Sequence, residues 1–409
     1  MKNYKIIASA LFMMASVLGF GQKVMPGIEI LKRDNFKILE GKRVGLITNP
    51  TGFDNSLKST IDILFEAPNV NLVVLFGPEH GVRGDAHAGD KVQNIIDKKT
   101  GIPVLSLYGA TRKATPEMLE GIDVLVYDIQ DIGSRSFTYI STMGLAMEAA
   151  AQSGIEFVVL DRPNPLGGIK VEGNLVEDGF ISFVSQFKIP YIYGLTCGEL
   201  ALLLNQERML EAKCDLHIVK MEGWSREMTF QETGLQWVPS SPHIPHPSTS
   251  AFYPISGIVG ELGYISIGVG YTIPFQMFAA EWIDAELLAQ ELNSYCLAGI
   301  KFRPIHLKPF YSVGVGTNIQ GVQVHIMDYK KAALTEIQFY VMEALAKLYP
   351  ERALFDHANP KRFRMFDQVC GSDQIRLLFS KHHKFEEIKE YWYKDVEEFK
   401  TLSQKYYLY

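Results

Sequence analysis

Apolar residues in the first half of the chain fall into five short, uninterrupted runs. Each run is followed by a turn that is rich in glycine, proline or polar residues. Continuous apolar runs of this length are typical of strands that are buried on both faces of a parallel sheet. The five predicted strands cover residues 43–47, 71–76, 103–107, 123–127 and 156–160.

Helical patterns lie between some of these runs. Residues 56–65 place Leu57, Ile61 and Leu64 on one face. Residues 137–153 also read as a helix, and Gly154 follows them as the residue that best tolerates a left-handed C-terminal cap. Strands that alternate with helices predict a doubly wound α/β domain.

The second half of the chain is less regular. A stretch rich in proline, serine and histidine, residues 239–254, is the best candidate for a domain boundary. The pattern then predicts a strand at 322–326 and helices at 331–348 and 385–406. We therefore expect a smaller C-terminal α/β domain at 251–409, after a larger domain at 22–250.

Length and composition narrow the function classes. The 409 residues predict two or three domains, and 47% hydrophobic with 21% charged residues is ordinary for a folded soluble protein. A net charge of -6 disfavours nucleic-acid binding, which usually leaves a basic footprint. Four cysteines without a C-x-x-C spacing provide no disulfide scaffold and no zinc knuckle.

Residues 1–21 have the pattern of a secretory signal. Lys2 and Lys5 precede an apolar run at 6–20, which is shorter than the roughly 20 residues that span a bilayer. We expect cleavage before Gln22, which changes the net charge from -6 to -8 because two lysines leave. The mature protein is expected to be periplasmic or secreted, without stable membrane insertion.

Polar side chains follow every predicted strand. In an open parallel sheet, ligands bind beyond the carboxyl ends of the strands, so side chains from separate strands should converge there. Each residue taken singly also fits a turn, a cap or a surface position. The residues are Asn49, then Glu79 and His80, then Tyr108, then Asp128, Gln130 and Asp131, and finally Asp161, Arg162 and Asn164.

Glu79 has the most suggestive setting of these residues. It lies between Pro78 and His80 directly after an apolar strand, within the segment GPEHG at 77–81. A partly desolvated carboxyl group favours its protonated form, which suits it to act as a general acid. His80 is expected to orient Glu79 or to bind substrate, and Arg83 and Arg135 offer forked guanidinium groups to a substrate carboxylate.

Several competing motifs are incomplete. The turn at 48–52 lacks the glycines of a dinucleotide site, and Asp90 stands where a P-loop requires lysine. Tyr264 replaces the first glycine of a nucleophile elbow. Pro245 between His243 and His246 prevents a helical metal site. We therefore expect neither a cofactor nor a metal ion.

Several long segments resemble the NamZ family of exo-β-N-acetylmuramidases. The resemblance covers nearly the whole chain after residue 22. The matching segments are GLITNPTG (45–52), FGPEHGVRG (76–84), DIQDIGSRSFTY (128–139), DRPNPLGG (161–168), PSSPHIP (239–245), VCGSD (369–373) and KYYLY (405–409).

The resemblance implies an exported glycosidase that removes N-acetylmuramic acid from the non-reducing end of peptidoglycan fragments. It implies a Rossmann-like domain, a smaller C-terminal α/β domain and an active site between them. It assigns catalysis to the glutamate that matches Glu79, and a second family glutamate matches Glu261. This chain departs from the family around that second glutamate, since it reads ELGY at 261–264 and has Val269 where an arginine is common.

These arguments predict one set of site residues. Glycoside hydrolysis usually requires two carboxyl groups, although the 2-acetamido group of the substrate is a known internal nucleophile. Arg83, Arg135 or Arg162 is expected to bind the lactyl carboxylate, and Tyr139 or Tyr271 to stack on the sugar. The predicted catalytic residues are Glu79, Glu261 and Asp128, and the predicted substrate-binding residues are Asn49, His80, Arg83, Gln130, Arg135, Tyr139, Asp161, Arg162 and Asn164.

Two other function classes stay open at this point. A non-catalytic protein on the same fold would bind muropeptides without releasing sugar. A cell-wall esterase or amidase would cleave outside the glycan, although the missing nucleophile elbow and metal motif argue against it.

Overall fold

The structure is a computed structural model that describes residues 23–84 and 95–409. The predicted signal sequence lies outside these residues. The strands are β1 (Arg43–Thr48), β2 (Asn71–Gly77), β3 (Ile95–Ile96), β4 (Pro103–Ser106), β5 (Val124–Asp128), β6 (Glu156–Leu160), β7 (Leu216–Val219), β8 (Met277–Ala280), β9 (Ile300–Leu307) and β10 (Ile319–Ile326).

Helices connect these strands and make up most of the C-terminal third. They are α1 (Gly27–Arg33), α2 (Thr60–Glu66), α3 (Tyr139–Ser153), α4 (Cys197–Gln206), α5 (Thr249–Gly260), α6 (Ala285–Ser294), α7 (Glu336–Leu348), α8 (Leu354–His357), α9 (Phe363–Cys370), α10 (Gln374–His382), α11 (Glu386–Tyr393) and α12 (Val396–Ser403). None of the helices in the described ranges is long and apolar enough to span a membrane.

The first lobe contains a seven-stranded sheet with the order β3-β4-β2-β1-β5-β6-β7. The short edge strand β3 runs antiparallel to β4, and all the other pairs are parallel. Without β3, the order is that of Rossmann-like doubly wound folds, in which the strand order reverses beside the first strand. This confirms the predicted fold class.

Both faces of this sheet are buried, as the continuous apolar runs predicted. Helices α1 and α2 cover one face, where Ile28 and Ile61 pack against Leu46. Helices α3 and α4 cover the other face, where Met147 and Leu200 pack against Phe157. The sheet is therefore a middle layer, and only its edges and strand ends remain available for a site.

Local capping explains where two predicted helices begin and end. The helix predicted at 56–65 begins at Thr60, because Asp54 accepts hydrogen bonds from the backbone of Ser56 and Lys58 and holds that segment in a turn. Ser59 then caps α2 by accepting from the Asp62 backbone N–H. Helix α3 ends as predicted, with Gly154 at a φ of 65° in the left-handed conformation.

The second lobe packs helices around a three-stranded antiparallel sheet with the order β8-β10-β9. Its core includes Phe278, Val322, Phe339 and Trp392. Strand β10 and helix α7 contain the predicted strand at 322–326 and most of the predicted helix at 331–348. The predicted helix at 385–406 is divided into α11 and α12.

Buried polar contacts fasten the two lobes together. The Glu172 carboxylate of the first lobe accepts hydrogen bonds from the backbone N–H groups of Leu334 and Thr335, at 3.1 and 2.8 Å, and from the Thr335 hydroxyl at 2.7 Å. These donors lie at the start of α7, where a carboxylate is favoured by unpaired N–H groups and the helix dipole. A carboxylate of the first lobe thus caps a helix of the second lobe.

The last residues of the chain return to the first lobe. The backbone N–H of Leu408 donates to Glu199 at 2.9 Å, and the Tyr409 hydroxyl donates to Asp161 at 2.8 Å. The Tyr407 ring covers the Arg226 guanidinium at 3.4 Å, measured from the ring centroid. We call residues 407–409 the C-terminal clasp, because they cover buried charges of the first lobe.

Candidate active site

A cleft of about 680 Å³ lies between the two lobes. This volume falls within the range of about 300–1,000 Å³ that is usual for small-molecule sites. The first lobe lines it with Glu79, Tyr108 and Thr138, and the second lobe with Glu261 and Arg362. The cleft opens at the carboxyl ends of β2, β4 and β5, which is the sheet edge that the sequence predicted.

Glu79 is held in the cleft by two hydroxyl groups. It is the second residue after β2, and the chain turns there because His80 and Gly81 adopt φ values of 73° and 74°. The Tyr108 hydroxyl donates to one carboxyl oxygen at 2.7 Å, and the Thr138 hydroxyl donates to the other at 3.3 Å. These contacts orient the carboxyl group between two strand ends. His80 lies beside it and lines the same cleft.

Glu261 reaches the cleft from the second lobe at the C-terminal end of α5. Burial raises the pKa of its carboxyl group, and the nearby Arg362 guanidinium partly opposes that rise. The nearest guanidinium nitrogen lies 3.7 Å from a carboxyl oxygen, and Arg362 also donates to the backbone carbonyl of Glu261. Arg362 thus contacts this glutamate twice, at its carboxylate and at its backbone carbonyl.

The charges of both carboxyl groups affect the phenol of Tyr253. Burial raises the pKa of its phenol, and the charges of Glu261 and Glu79 both raise it further. Its hydroxyl lies 3.1 Å from the Ser136 hydroxyl, which in turn lies 2.8 Å from the Tyr191 hydroxyl. Tyr253 thus lines the cleft together with Glu79 and Glu261.

Asp128 does not face the cleft, although the sequence predicted it as a catalytic residue. Its carboxylate is completely buried and accepts two hydrogen bonds from Arg162, at 2.5 and 2.9 Å. The Thr60 hydroxyl is a third donor. The same pairing engages Arg162, so the structure places both side chains inside the first lobe and not on the lining of the cleft, where the prediction had put them.

Asp161 also forms hydrogen bonds within the first lobe. It accepts hydrogen bonds from the Thr196 hydroxyl, the Gly198 backbone N–H and the Tyr409 hydroxyl. Burial raises the pKa of Asp161 to about 6. Asp161 has no exposed surface and is not among the described residues that line the cleft, so the structure does not show the predicted substrate contact.

The other two arginines that were predicted to bind a substrate carboxylate also form their hydrogen bonds within the protein. Arg135 has no exposed surface, and its guanidinium donates to the backbone carbonyls of Asn174, Ile189 and Val369. It therefore fastens the lobes, since Val369 belongs to the second. Arg83 forms two hydrogen bonds of 3.0 Å with the Asp97 carboxylate.

Four further predicted contacts are buried polar groups that bond to the protein itself. The Asn49 side chain accepts from Thr51 at 2.9 Å, and Gln130 donates to two backbone carbonyls at 2.7 and 2.8 Å. Asn164 donates to the Leu195 carbonyl, and Tyr139 donates to the Ser240 carbonyl. None of these four side chains is among the described residues that line the cleft.

Some cleft residues were missed or undervalued by the sequence arguments. Tyr108 was noted only for its position after a strand, and Thr138 lies in a segment that was quoted for its resemblance. Arg112 follows Tyr108 in the same loop, so its position after a strand was the available signal. Arg362 and Tyr253 gave no signal, because tertiary folding brings them to the cleft. Within the ranges 23–84 and 95–409, no group of three or more His, Cys, Asp or Glu residues is arranged to hold a metal ion.

Sequence comparisons match the chain to one family across both lobes. The N-terminal domain of exo-β-N-acetylmuramidase NamZ matches residues 44–248, and its C-terminal domain matches residues 251–409. A peptidoglycan β-N-acetylmuramidase NamZ from Bacillus subtilis is 45% identical over 387 residues, which cover 95% of this chain and 92% of that protein.

Two crystal structures of DUF1343 family proteins from Bacteroides fragilis share the fold. One is 69% identical with a TM-score of 0.92, and the other is 28% identical with a TM-score of 0.74. In both comparisons, 95% of this chain aligns with 99% of the other. The two-lobed architecture is thus common to these proteins.

Proposed function

The chain belongs to the NamZ family of exo-β-N-acetylmuramidases, and we propose that its cleft releases N-acetylmuramic acid from the non-reducing end of peptidoglycan fragments. The observation that carries this proposal is the placement of Glu79 and Glu261, from separate lobes, on one cleft. Glycoside hydrolysis usually requires two such carboxyl groups on either side of the scissile bond. The cleft volume also suits a ligand of one or two sugar rings.

We assign the general acid to Glu79 and the general base to Glu261. Tyr108 and Thr138 orient Glu79, so that its proton can be delivered to the leaving oxygen from a fixed direction. Burial raises the pKa of Glu261, and a carboxylate with a higher pKa is a stronger base. Its target is a water molecule, or the 2-acetamido group of the substrate if that group serves as the internal nucleophile.

The activity can be tested with defined peptidoglycan fragments. The purified protein should release free N-acetylmuramic acid, detected by mass spectrometry, from a disaccharide with that sugar at its non-reducing end. The reversed disaccharide, with N-acetylglucosamine at that end, should stay intact. Binding of both without any release would support a non-catalytic binding protein. Release of peptide or acetate instead would support an amidase or esterase.

The pH profile tests the role of Glu261. Because Arg362 lowers the pKa of Glu261, replacing Arg362 with glutamine should raise that pKa. A base must be deprotonated to act, so the acidic limb of the kcat/KM profile should move to higher pH. Lys361→Gln is a matched control, since it removes a neighbouring exposed charge and should leave the profile unchanged. Movement of the alkaline limb instead would make Glu261 the acid.

We further propose that the protein is exported and acts on the cell wall from the periplasm or outside the cell. This rests on the sequence of residues 1–21, with two lysines before an apolar run. N-terminal sequencing of the mature protein from the producing bacterium should begin at Gln22. A mature protein that begins at Met1 in the cytoplasmic fraction would overturn this proposal.

A further inference from the structure

Two arginines line the cleft among the residues that the structure describes, and they differ in their partners. Arg362 is committed to Glu261, as described above. The Arg112 guanidinium instead lies 4.5 Å from the centroid of the Phe183 ring. Within residues 23–84 and 95–409, no carboxylate forms an ion pair with it. Arg112 therefore brings an unneutralised positive charge to the cleft wall.

Arg112 lies on the same side of the cleft as Glu79. It belongs to the loop after β4, four residues beyond the Tyr108 whose hydroxyl contacts Glu79 at 2.7 Å. The start of this loop is anchored by the Leu107 backbone N–H, which donates to the Gly77 carbonyl at 2.8 Å. The Tyr108 and Phe183 ring centroids lie 6.4 Å apart. One aromatic ring thus separates the arginine from the tyrosine that holds the acid.

Phe183 restricts the arginine without neutralising it. Phe183 is buried, and a guanidinium that lies over such a ring keeps its charge. Arg112 lines the cleft beside this ring. A guanidinium carries several N–H donors in a planar fork, which matches the two oxygens of a carboxylate.

We propose that Arg112 binds the carboxylate of the lactyl group on the terminal sugar and thereby selects N-acetylmuramic acid over N-acetylglucosamine. This inference rests on the proposed function, because it assumes that a terminal sugar occupies the cleft beside Glu79. The lactyl group is the only difference between the two sugars, and it adds one negative charge. The three arginines that the sequence suggested for this role are engaged with Asp97, Asp128 and backbone carbonyls.

A double-mutant cycle between enzyme and substrate tests this contact. The two substrates are an aryl N-acetylmuraminide and its lactyl amide, which has nearly the same shape but no charge. In the wild-type protein, kcat/KM should favour the carboxylate by about 10- to 100-fold, the range expected for a charge-assisted hydrogen bond. Arg112→Gln should remove this preference, mainly through a higher KM for the charged substrate, and should leave the amide rate within about twofold.

Two further variants complete the test. Arg112→Lys keeps the charge without the fork, so it should retain part of the preference. Arg303→Gln removes an exposed arginine of β9 outside the cleft, and it should behave as wild type. If the wild type cleaves these substrates and Arg112→Gln keeps the full preference for the carboxylate, the inference is wrong and the proposed function stands. If the wild type releases no sugar from either substrate, the proposed function itself fails.

Discussion

Replacing Glu79 with glutamine should lower kcat by at least about 100-fold, the usual scale of general acid catalysis, while the protein stays folded. Glutamine has the same shape and can still contact Tyr108 and Thr138, so the local structure has no reason to change. It has no proton to give to the leaving oxygen. The measurement is turnover of a disaccharide with terminal N-acetylmuramic acid, together with circular dichroism.

The leaving group distinguishes an acid from other roles. A dinitrophenyl leaving group needs little protonation, so Glu79→Gln should lose much less activity on the dinitrophenyl glycoside than on the disaccharide. Equal losses on both substrates would assign Glu79 to another step. Glu222→Gln is a matched control, because Glu222 is an exposed partner of Arg33 away from the cleft, and it should keep full activity.

Replacing Arg162 with glutamine should lower the free energy of unfolding by about 3–5 kcal/mol, as expected when one partner of a buried ion pair is removed. Among the residues that the structure describes, Asp128 would then remain as a buried carboxylate with the Thr60 hydroxyl as its one side-chain donor. The effect should appear as a lower denaturation midpoint in urea. The Arg162→Gln protein that remains folded should keep a kcat within about twofold of wild type, because neither Asp128 nor Arg162 lines the cleft.

The control for this comparison is an exposed ion pair. Arg33→Gln removes the partner of Glu222 on the surface, where such pairs contribute about 0–1 kcal/mol. A contradictory result would be an Arg162→Gln protein of normal stability whose turnover is lost. That outcome would return Asp128 and Arg162 to the active site, where the sequence had predicted them.

The sequence predicted the large sheet well because burial on both faces leaves a clear pattern. The cleft lies at the edge of the sheet that the sequence predicted, and polar residues at the ends of β1, β5 and β6 meet there. The sequence could not reveal that these groups form hydrogen bonds and ion pairs with one another. Asp128 and Glu79 both follow apolar strands, and the difference is that a guanidinium from the next strand end reaches Asp128.

Other features depend on contacts between distant segments. Arg362 lies 101 residues from the Glu261 carbonyl that it contacts. The predicted helix at 385–406 is interrupted near Asp395, whose carboxylate accepts from the Leu175 backbone N–H in the first lobe. Strand β9 lies at the edge of its sheet and contains Pro304, so its sequence pattern is weak. Such elements are fixed by tertiary packing, which periodicity does not record.

The C-terminal clasp has a consequence for the order of events during synthesis. Tyr409 follows Asp161, whose carboxylate it covers, by 248 residues. A ribosome that has completed β7 has made every strand of the large sheet, but the Asp161 carboxylate and the Glu199–Arg226 pair still lack their cover. The contacts of the clasp can form only after translation has reached Tyr409. They are therefore completed after the chain segments of both lobes have been synthesised.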